Sequence, residues 1–208
     1  MNKIKIIVAV AISVAILPAC TFATSFVGSA AAINANDSIT WAQLGASGGQ
    51  VSNPKIVSSV SGKNITLSQA TGAGFTSTAG VGYGPMYAPG ERLYLTDNGF
   101  GFSGGPITFV FRQDIDGFGL VCDPDYFSAG FSGTISAYDA AANLLGSFAF
   151  SVSAQAQYKQ VFAGVSNNIP NIHRIVIDGT AAASQPENFA IGTVLIHSDR
   201  IFSDGLEP

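Results

Sequence analysis

The sequence predicts an all-β protein, an antiparallel β-sandwich of the jelly-roll or galactose-binding-like type. Apolar and polar residues alternate with a period of two in segments such as Thr134–Asp139 and Ser147–Val152, the pattern of a half-buried strand. The chain has 24 glycines and 15 phenylalanines, and only 11% of its residues are charged, against about 25% in typical domains. No segment shows an extended apolar period of 3.6 residues, so we expect no helix longer than one or two turns.

Short apolar segments separated by turn-forming residues recur along the chain from Ser38. They predict strands at Ile39–Leu44, Ile56–Val60, Ile65–Ser68, Arg92–Leu95, Ile107–Arg112, Phe118–Cys122, Thr134–Tyr138, Leu144–Val152, Gln160–Val165, His173–Ile177 and Phe189–His197. The small residues of Asp139–Asn143 predict a hairpin connection. Roughly ten short strands in a chain of this length favour two packed antiparallel sheets.

The N-terminus predicts an export signal. Lys3 and Lys5 precede the nearly continuous apolar run Ile6–Leu17, which is too short to span a bilayer. Pro18 ends this run, and small residues follow it. No later segment is long and apolar enough to cross a membrane, so we expect a secreted or cell-surface protein.

Three fates of the signal remain open. A signal peptidase would cleave after Ala23, whereas the lipobox-like Leu17–Cys20 would lead to lipid attachment at Cys20. The third alternative is an uncleaved anchor. The expected organisation is therefore a signal peptide at 1–23, a leader of mostly small residues at 24–37, the sandwich at 38–198 and a polar tail at 199–208.

The charge pattern excludes some partners. The formal net charge is −4, and loss of Lys3 and Lys5 with the signal would make it more negative. No basic cluster is present, whereas nucleic-acid binding requires a cationic surface that displaces counterions. Nucleic acid is therefore not an expected partner, and anionic membrane surfaces are disfavoured for the same reason.

Cys122 is expected to be the lone cysteine of the exported protein, because Cys20 lies in or beside the signal. Phe118, Leu120 and Cys122 share one face of a predicted strand. Free cysteine is one of the most frequently buried residues, so we expect a buried thiol on an apolar face.

Several of these segments together resemble a known group of proteins. They are Ser38–Gly45, Pro106–Phe111, Asp114–Gly119, Gly133–Asp139, Asn143–Phe148, Ile172–Ile177 and Pro186–Ile191. Over most of residues 38–196 they resemble the extracellular domains of uncharacterised bacterial secreted proteins of the PEP-CTERM-sorted type. The resemblance implies a jelly-roll sandwich but no activity. The expected departure is at the end of the chain, which lacks the apolar helix and basic cluster of the PEP-CTERM anchor.

The motifs that suggest catalysis are weak. Gly101–Gly105 matches the Gly-x-Ser-x-Gly pattern around a nucleophilic serine, but Pro106 and a strand follow Ser103 where a helix is required. His173 and His197 each stand alone, without the spacing of a zinc site. We expect a non-catalytic protein without a cofactor, with a secreted hydrolase as a remote alternative.

Two acidic pairs are candidates for other chemistry. Asp114 and Asp116 would share one strand face, but neighbouring turn acids seldom form the cleft that glycosidases need. Asp123 and Asp125 are weak candidates for a Ca²⁺ site with backbone carbonyl ligands. The alternative is that these acids cap turns through hydrogen bonds to the backbone.

The Gly-rich segment from 70 to 105 interrupts the strand pattern and carries the candidate ligand site. Tyr83, Tyr87, Phe100 and Phe102 lie among glycines and prolines without a period of two. They either fold back as a small satellite core or lie exposed as a surface on which sugar rings stack. The expected function is polysaccharide or cell-surface binding. The alternative is a structural surface or matrix protein that has no small ligand.

The export signal generates a prediction about processing. We expect the exported protein to lack about 23 residues at its N-terminus, because a charged segment, an apolar run and small residues form a cleavable signal. N-terminal sequencing of the secreted protein tests this, and Met1 at its start would contradict it. Incorporation of labelled palmitate that Cys20→Ser abolishes would identify the lipoprotein route.

Overall fold

Two antiparallel sheets packed face to face make up the described part of the chain. The computed structural model describes residues 24–70, 72–80, 83–96, 105–124, 131–153, 160–181 and 188–198. Every strand pair in it is antiparallel. The predicted class, an antiparallel β-sandwich, is confirmed.

The described residues contain fifteen strands and two very short helices. The strands are β1 Ser25–Val27, β2 Asp37–Ile39, β3 Gln50–Val51, β4 Lys55–Ser58, β5 Asn64–Gln69, β6 Gly74–Thr78, β7 Arg92–Leu95, β8 Ile107–Ile115, β9 Gly117–Pro124, β10 Phe131–Tyr138, β11 Leu144–Val152, β12 Val161–Ser166, β13 Ile172–Ala181, β14 Phe189–Ile191 and β15 Val194–His197. The helices are α1, Ala30–Ile33, and a 3₁₀ turn, Trp41–Leu44.

The strands divide into a nine-stranded and a six-stranded sheet. The nine-stranded sheet has the order β1-β12-β9-β14-β7-β6-β3, and β15 pairs with both β9 and β2. The six-stranded sheet has the order β11-β10-β13-β8-β5-β4. Consecutive strands β8 and β9 belong to different sheets, so the chain changes sheet at Asp116.

The core lies between the two sheets and is rich in aromatic rings. Phe109 of β8 and Phe118 of β9 are fully buried, and their ring centroids lie 5.1 Å apart. Trp41 is also fully buried, at 5.4 Å from the Tyr94 ring and 6.5 Å from the Phe109 ring. Tyr94 donates a hydrogen bond to Gln69 Oε1 of the opposite sheet (3.1 Å). The two sheets are therefore joined by ring packing and by a buried hydrogen bond.

Most predicted strands agree with the structure. The segments Arg92–Leu95 and Leu144–Val152 match β7 and β11. The predicted connection at Asp139–Asn143 is a hairpin, in which the Asn143 N–H donates to the Asp139 carboxylate (2.7 Å). The alternation is confirmed as well, because Ile135 and Ala137 of β10 are fully buried between more exposed neighbours.

Two predicted strands are each divided in the structure. The segment Ile39–Leu44 is the end of β2 followed by a 3₁₀ turn, and Phe189–His197 is β14 and β15 separated at Gly192. The short strands β3 and β6 were not predicted. They lie among glycines and polar residues, where tertiary pairing rather than side-chain pattern makes the strand.

The expectation of a leader at 24–37 is wrong. Residues of β1 pair with β12, and Ile33 of α1 packs on Val27 and Phe162. Asp37 pairs with Ile196 through β2 and β15. The segment is part of the sandwich because its few apolar side chains cover the end of the nine-stranded sheet. No helix among the described residues is long and apolar enough to cross a membrane.

The predicted orientation of the β9 thiol is confirmed. Phe118, Leu120 and Cys122 are all fully buried, and Cys122 is a free cysteine. Burial raises the pKa of the Cys122 thiol far above its ordinary value, and the resulting neutral thiol is a poor nucleophile.

This burial predicts slow chemical modification. We expect Cys122 in the native protein to resist iodoacetamide and to react fully only after unfolding, because both the burial and the raised pKa suppress the thiolate. A time course of alkylation with and without denaturant, followed by mass spectrometry, measures this. Rapid labelling of the native protein would contradict the inward orientation of this face.

Candidate functional site

The loop from 83 to 90 covers the outer face of the nine-stranded sheet and is fixed by side chains from several elements. Glu91 accepts hydrogen bonds from the Ala88 N–H (2.9 Å) and the Thr193 N–H (2.7 Å). The Met86 N–H donates to Gln160 Oε1 (2.8 Å). The loop thus has a defined conformation although it carries little regular secondary structure.

Tyr87 is the structural anchor of this loop. Its ring is only 5% exposed and packs with Leu93 and Ala190 on the sheet. Its hydroxyl donates to the carbonyl of Ala190 (3.0 Å), with the carbonyl of Val121 at 3.3 Å. Desolvation by burial, the largest cause, raises the pKa of Tyr87 well above its ordinary value. Tyr87 as an exposed stacking ring is therefore wrong, because its ring belongs to a satellite core.

The turn at Gly192 explains why this anchor has its position. Trp41 Nε1 donates to the Gly192 carbonyl from the core side (2.7 Å). On the other side, a Cβ at Gly192 would lie 2.7 Å from the Tyr87 ring and 2.9 Å from Glu91 Oε1. The Tyr87 ring occupies the space that a side chain would need, so this close approach requires glycine.

Tyr83 lies at the rim of the same cluster. Its ring makes an edge-to-face contact with Tyr87, with centroids 6.0 Å apart. Its hydroxyl shares a hydrogen bond with Ser77 Oγ (3.2 Å). Unlike Tyr87 it is half-buried, so part of its ring is open to solvent.

The two tyrosines line one pocket of about 430 Å³, called here the tyrosine pocket. Its lining residues are mostly small or apolar and comprise Ala79, Gly80, Tyr83, Gly84, Pro85, Tyr87, Ala88 and Pro89. The structure thus brings together two of the four predicted ligand residues. The other two, Phe100 and Phe102, lie outside the described residues.

A buried amide lies directly behind the tyrosine pocket. Gln160 Nε2 is buried and has no hydrogen-bond partner among the described residues, and a Cβ at Gly84 would lie 2.2 Å from Gln160 Oε1. The Gly84 N–H lies 3.5 Å from Asp123 Oδ2. Polar groups therefore back the pocket wall at Gly84, while the opening itself is apolar.

A second pocket, of about 580 Å³, has the opposite chemistry, and is called here the Asp37 pocket. It is lined by charged, amide and hydroxyl side chains and by one glycine, namely Asn36, Asp37, Ser61, Gly62, Lys63, Asn64, Arg112, Gln113 and Ser198. No sequence pattern predicts this pocket, because its residues come from separate segments and Asp37 belongs to the expected leader. No periodicity in the sequence could have brought these segments together.

Asp37 is the centre of this second pocket. Its side chain is 2% exposed and lies 3.5 Å from Lys63 Nζ. Burial by itself would raise the pKa of Asp37, but hydrogen bonds from Ser59, Ser61 and the Ser38 backbone outweigh it and hold the pKa below its ordinary value. The carboxylate is therefore stabilised in its charged form.

The Lys63–Ser198 contact does not form a nucleophile pair. Lys63 Nζ donates to Ser198 Oγ at 2.7 Å, and the same nitrogen lies 3.5 Å from Asp37 Oδ2. A serine nucleophile needs a neighbouring group that accepts its proton, and a charged ammonium has no acceptor. The arrangement therefore fastens the end of β15 to the β4–β5 turn.

The two histidines and the first acidic pair form two separate pairs. His173 Nδ1 lies 2.9 Å from Asp114, and His197 Nδ1 lies 2.7 Å from Asp116. The first histidine belongs to the six-stranded sheet and the second to the nine-stranded sheet. The expectation that both acids share one strand face is wrong, because Asp116 lies at the corner where the chain changes sheet.

Of the remaining candidates, only Asp123 lies among the described residues. Asp123 is 5% exposed, whereas Asp125, Ser103 and Cys20 lie outside the described residues. Within the described residues no three His, Cys, Asp or Glu side chains come close enough to hold a metal ion. The Ca²⁺ site therefore stays a prediction.

Comparison with known proteins finds distant structural similarity and no family. No family model and no curated protein matches it. A DUF4465 family protein from Bacteroides caccae is similar in structure, with a TM-score of 0.49 and 11% identity over 77% of this chain and 99% of the other. The enzymatically active domain of tailspike protein 4 of bacteriophage CBA120 has a TM-score of 0.36 and 16% identity, over 64% of this chain and 19% of the other. The chain is an antiparallel β-sandwich protein with an apolar and a polar surface pocket. Its likeness to PEP-CTERM-type domains stays a prediction.

The Asp37 site predicts a pH-dependent contribution to stability. Since the folded-state pKa of Asp37 lies below its unfolded-state value, the contribution is fully present above the unfolded-state pKa and is lost as the pH falls through the folded-state pKa. We expect Asp37→Asn to lower the free energy of unfolding by about 2 kcal/mol at pH 7. The difference from the wild type should shrink below about pH 4.

Thermal melts of both proteins from pH 7 to pH 2.5 measure this difference. Asp139→Asn is the matched control, because the pKa of Asp139 is also lowered by its hydrogen bonds with Asn143 while its carboxylate lies in a surface hairpin. It should change stability much less. Equal stability of Asp37→Asn and the wild type at pH 7 would contradict the structural role of Asp37.

Proposed function

We propose that the protein is an exported, non-catalytic binding module that holds a carbohydrate or similar cell-surface ligand in the tyrosine pocket. The observation that carries the proposal is the half-buried ring of Tyr83 at the rim of the tyrosine pocket, a concave and mostly apolar pocket with a volume of about 430 Å³. Ligand pockets commonly measure about 300–1,000 Å³ and are mostly apolar, with a few oriented polar groups. The tyrosine pocket fits this description better than the Asp37 pocket.

The chemistry of the rim suits a sugar ring. One face of a pyranose carries C–H groups, which stack on an aromatic ring, while its hydroxyls need hydrogen-bond partners. Tyr83 offers the ring face, Pro85 and Pro89 extend the apolar wall, and the Tyr83 and Ser77 hydroxyls lie together at 3.2 Å. A single partly exposed ring supports weak binding. We expect a dissociation constant of about 0.1–1 mM, which corresponds to a binding free energy of roughly 4–5.5 kcal/mol in favour of the complex.

The fixed loop supports recognition. Glu91 and Gln160 each bind backbone N–H groups of the loop or of the neighbouring turn. Tyr87 fastens the loop to the sheet through two carbonyls. A loop that is already ordered loses less conformational entropy when a ligand binds, so a shallow pocket can still discriminate between ligands.

The alternative is a structural surface or matrix protein with no small ligand. It is favoured by a different observation, the long uncharged edge strand β11. The hydrolase alternative has less support, since Asp114 and Asp116 are held by histidines on different sheets rather than facing one cleft as glycosidase carboxylates do.

The two tyrosines give a direct test of the proposal. The ring of Tyr83 is partly open to solvent, whereas the ring of Tyr87 is buried in the satellite core. We expect Tyr83→Ala to weaken polysaccharide binding at least tenfold while thermal stability stays nearly unchanged. Tyr87→Ala should lower the free energy of unfolding by about 3 kcal/mol, as truncations of buried aromatic residues do. A glycan array followed by titration calorimetry measures binding, and chemical denaturation measures stability.

Tyr138→Ala is the matched control for binding. Tyr138 is a half-buried tyrosine on the six-stranded sheet, where the Arg174 guanidinium lies 4.0 Å from its ring centre, and its loss should leave affinity unchanged. If no glycan binds, or if Tyr83→Ala binds as well as the wild type, the binding proposal fails. The structural-protein alternative would then be preferred.

A further inference from the structure

The free edges of the two sheets differ greatly in length. A strand at the edge of a sheet has unpaired N–H and C=O groups, which can pair with another chain. Within the described residues, the edge strands β1, β2, β3 and β4 contain only two to four residues. The fifth, β11, contains nine residues and pairs in the described part of the chain with β10 alone.

The two edges of the six-stranded sheet also differ in sequence. Natural proteins protect edges with lysines, prolines, bulges or short strands. The β4 edge is short, begins with Lys55 and follows Pro54. By contrast, no charged residue and no proline lies between Asp139 and Lys159, a segment that contains all of β11. The only register shift between β10 and β11 is at the hairpin end, so the rest of this edge is regular.

An apolar margin accompanies the β11 edge. Leu144 is 57% exposed, and the half-buried Phe148 lies with its ring centroid 6.2 Å from that of Phe26. Phe26 belongs to β1, the edge of the other sheet, and is itself 39% exposed. The rings of Phe26 and Phe148 thus form an apolar margin between the two sheets, next to backbone groups of β11 that pair with no further strand among the described residues.

We propose that β11 pairs antiparallel with β11 of a second copy of this chain, joining two six-stranded sheets across a two-fold axis at Phe148. An isologous interface requires a surface that is complementary to itself. With the axis at Phe148, this residue lies opposite its own copy, Leu144 lies opposite Val152, and Ser147 lies opposite Ala149. Aromatic and aliphatic cross-strand pairs of this kind stabilise a sheet.

Charge favours a second copy as the occupant of this edge. The chain has a net charge of −4, so two copies repel each other wherever acidic surfaces meet. Because β11 carries no charge, antiparallel pairing places no like charges opposite each other. A strand of nine residues is about 30 Å long, and a single pair of such strands buries less than the roughly 800 Å² per partner of a stable interface. The margin of Phe26 and Phe148 adds area, and we expect a dissociation constant in the micromolar range.

A charge-swap experiment tests the pairing and its register. Ser147 and Ala149 are exposed, so lysines at both positions should leave the monomer folded. In the proposed register the lysine introduced at position 147 of one copy would lie opposite the lysine introduced at position 149 of the other, and like charges opposite each other destabilise a sheet. We expect the exported wild type, without its signal, to sediment as a dimer at tens of micromolar, and S147K/A149K and S147E/A149E in the same form each to sediment as monomers. An equimolar mixture of the two variants should re-form the dimer.

The control is Ile56→Lys, at a 67% exposed position on the opposite edge of the same sheet, which should leave the dimer intact. Circular dichroism and thermal melts verify that each variant is folded. A wild type that stays monomeric, as expected if a segment of its own chain covers β11, would overturn the proposal. A dimer that survives S147K/A149K, or a mixture of the two variants that stays monomeric, would overturn it as well.

Discussion

The contact between Phe109 and Phe118 is the interaction on which the other features of the sandwich depend. These residues belong to successive strands that lie in opposite sheets, and their rings meet at 5.1 Å. The chain must therefore turn from one sheet to the other within the few residues between them. Asp116 lies at that corner, buried, with its carboxylate on His197 and its carbonyl accepting from the Asn167 N–H (2.7 Å). Packing thus sets the corner, and the corner places Asp116 against His197 of the nine-stranded sheet, apart from the Asp114–His173 pair.

The turn at Gly192 connects the core with the outer surface of the nine-stranded sheet. Trp41 fixes the Gly192 carbonyl from the inside, while Tyr87 and Glu91 contact this turn from the outside. The tyrosine pocket therefore rests on a chain of contacts that begins between the sheets. This explains how a loop rich in glycine and proline can present Tyr83 in one orientation, and why Tyr87, in the same loop, has a structural role.

The two proposals concern separate surfaces and are compatible. The tyrosine pocket lies on the outer face of the nine-stranded sheet, whereas β11 is the edge of the six-stranded sheet. Pairing through β11 would present two pockets in one assembly, and linked sites bind a polymer more tightly than single sites do. Weak binding at one Tyr83 would then be consistent with useful attachment to a repetitive polysaccharide.

The sequence by itself determined the fold class, most strand positions and the burial of Cys122. Each of these depends on local alternation and composition, which specify which face of a strand is apolar. Tertiary structure decided what local pattern does not carry. Residues 24–37 joined the sandwich through pairing with distant strands, and Tyr87 was buried because two carbonyls and a glycine lie where its side chain meets the sheet. The Asp37 pocket combines segments far apart in sequence, so only the folded chain brings its charges together. A side chain's role in a loop depends on the surface beneath it, and that surface is built by strands remote in sequence.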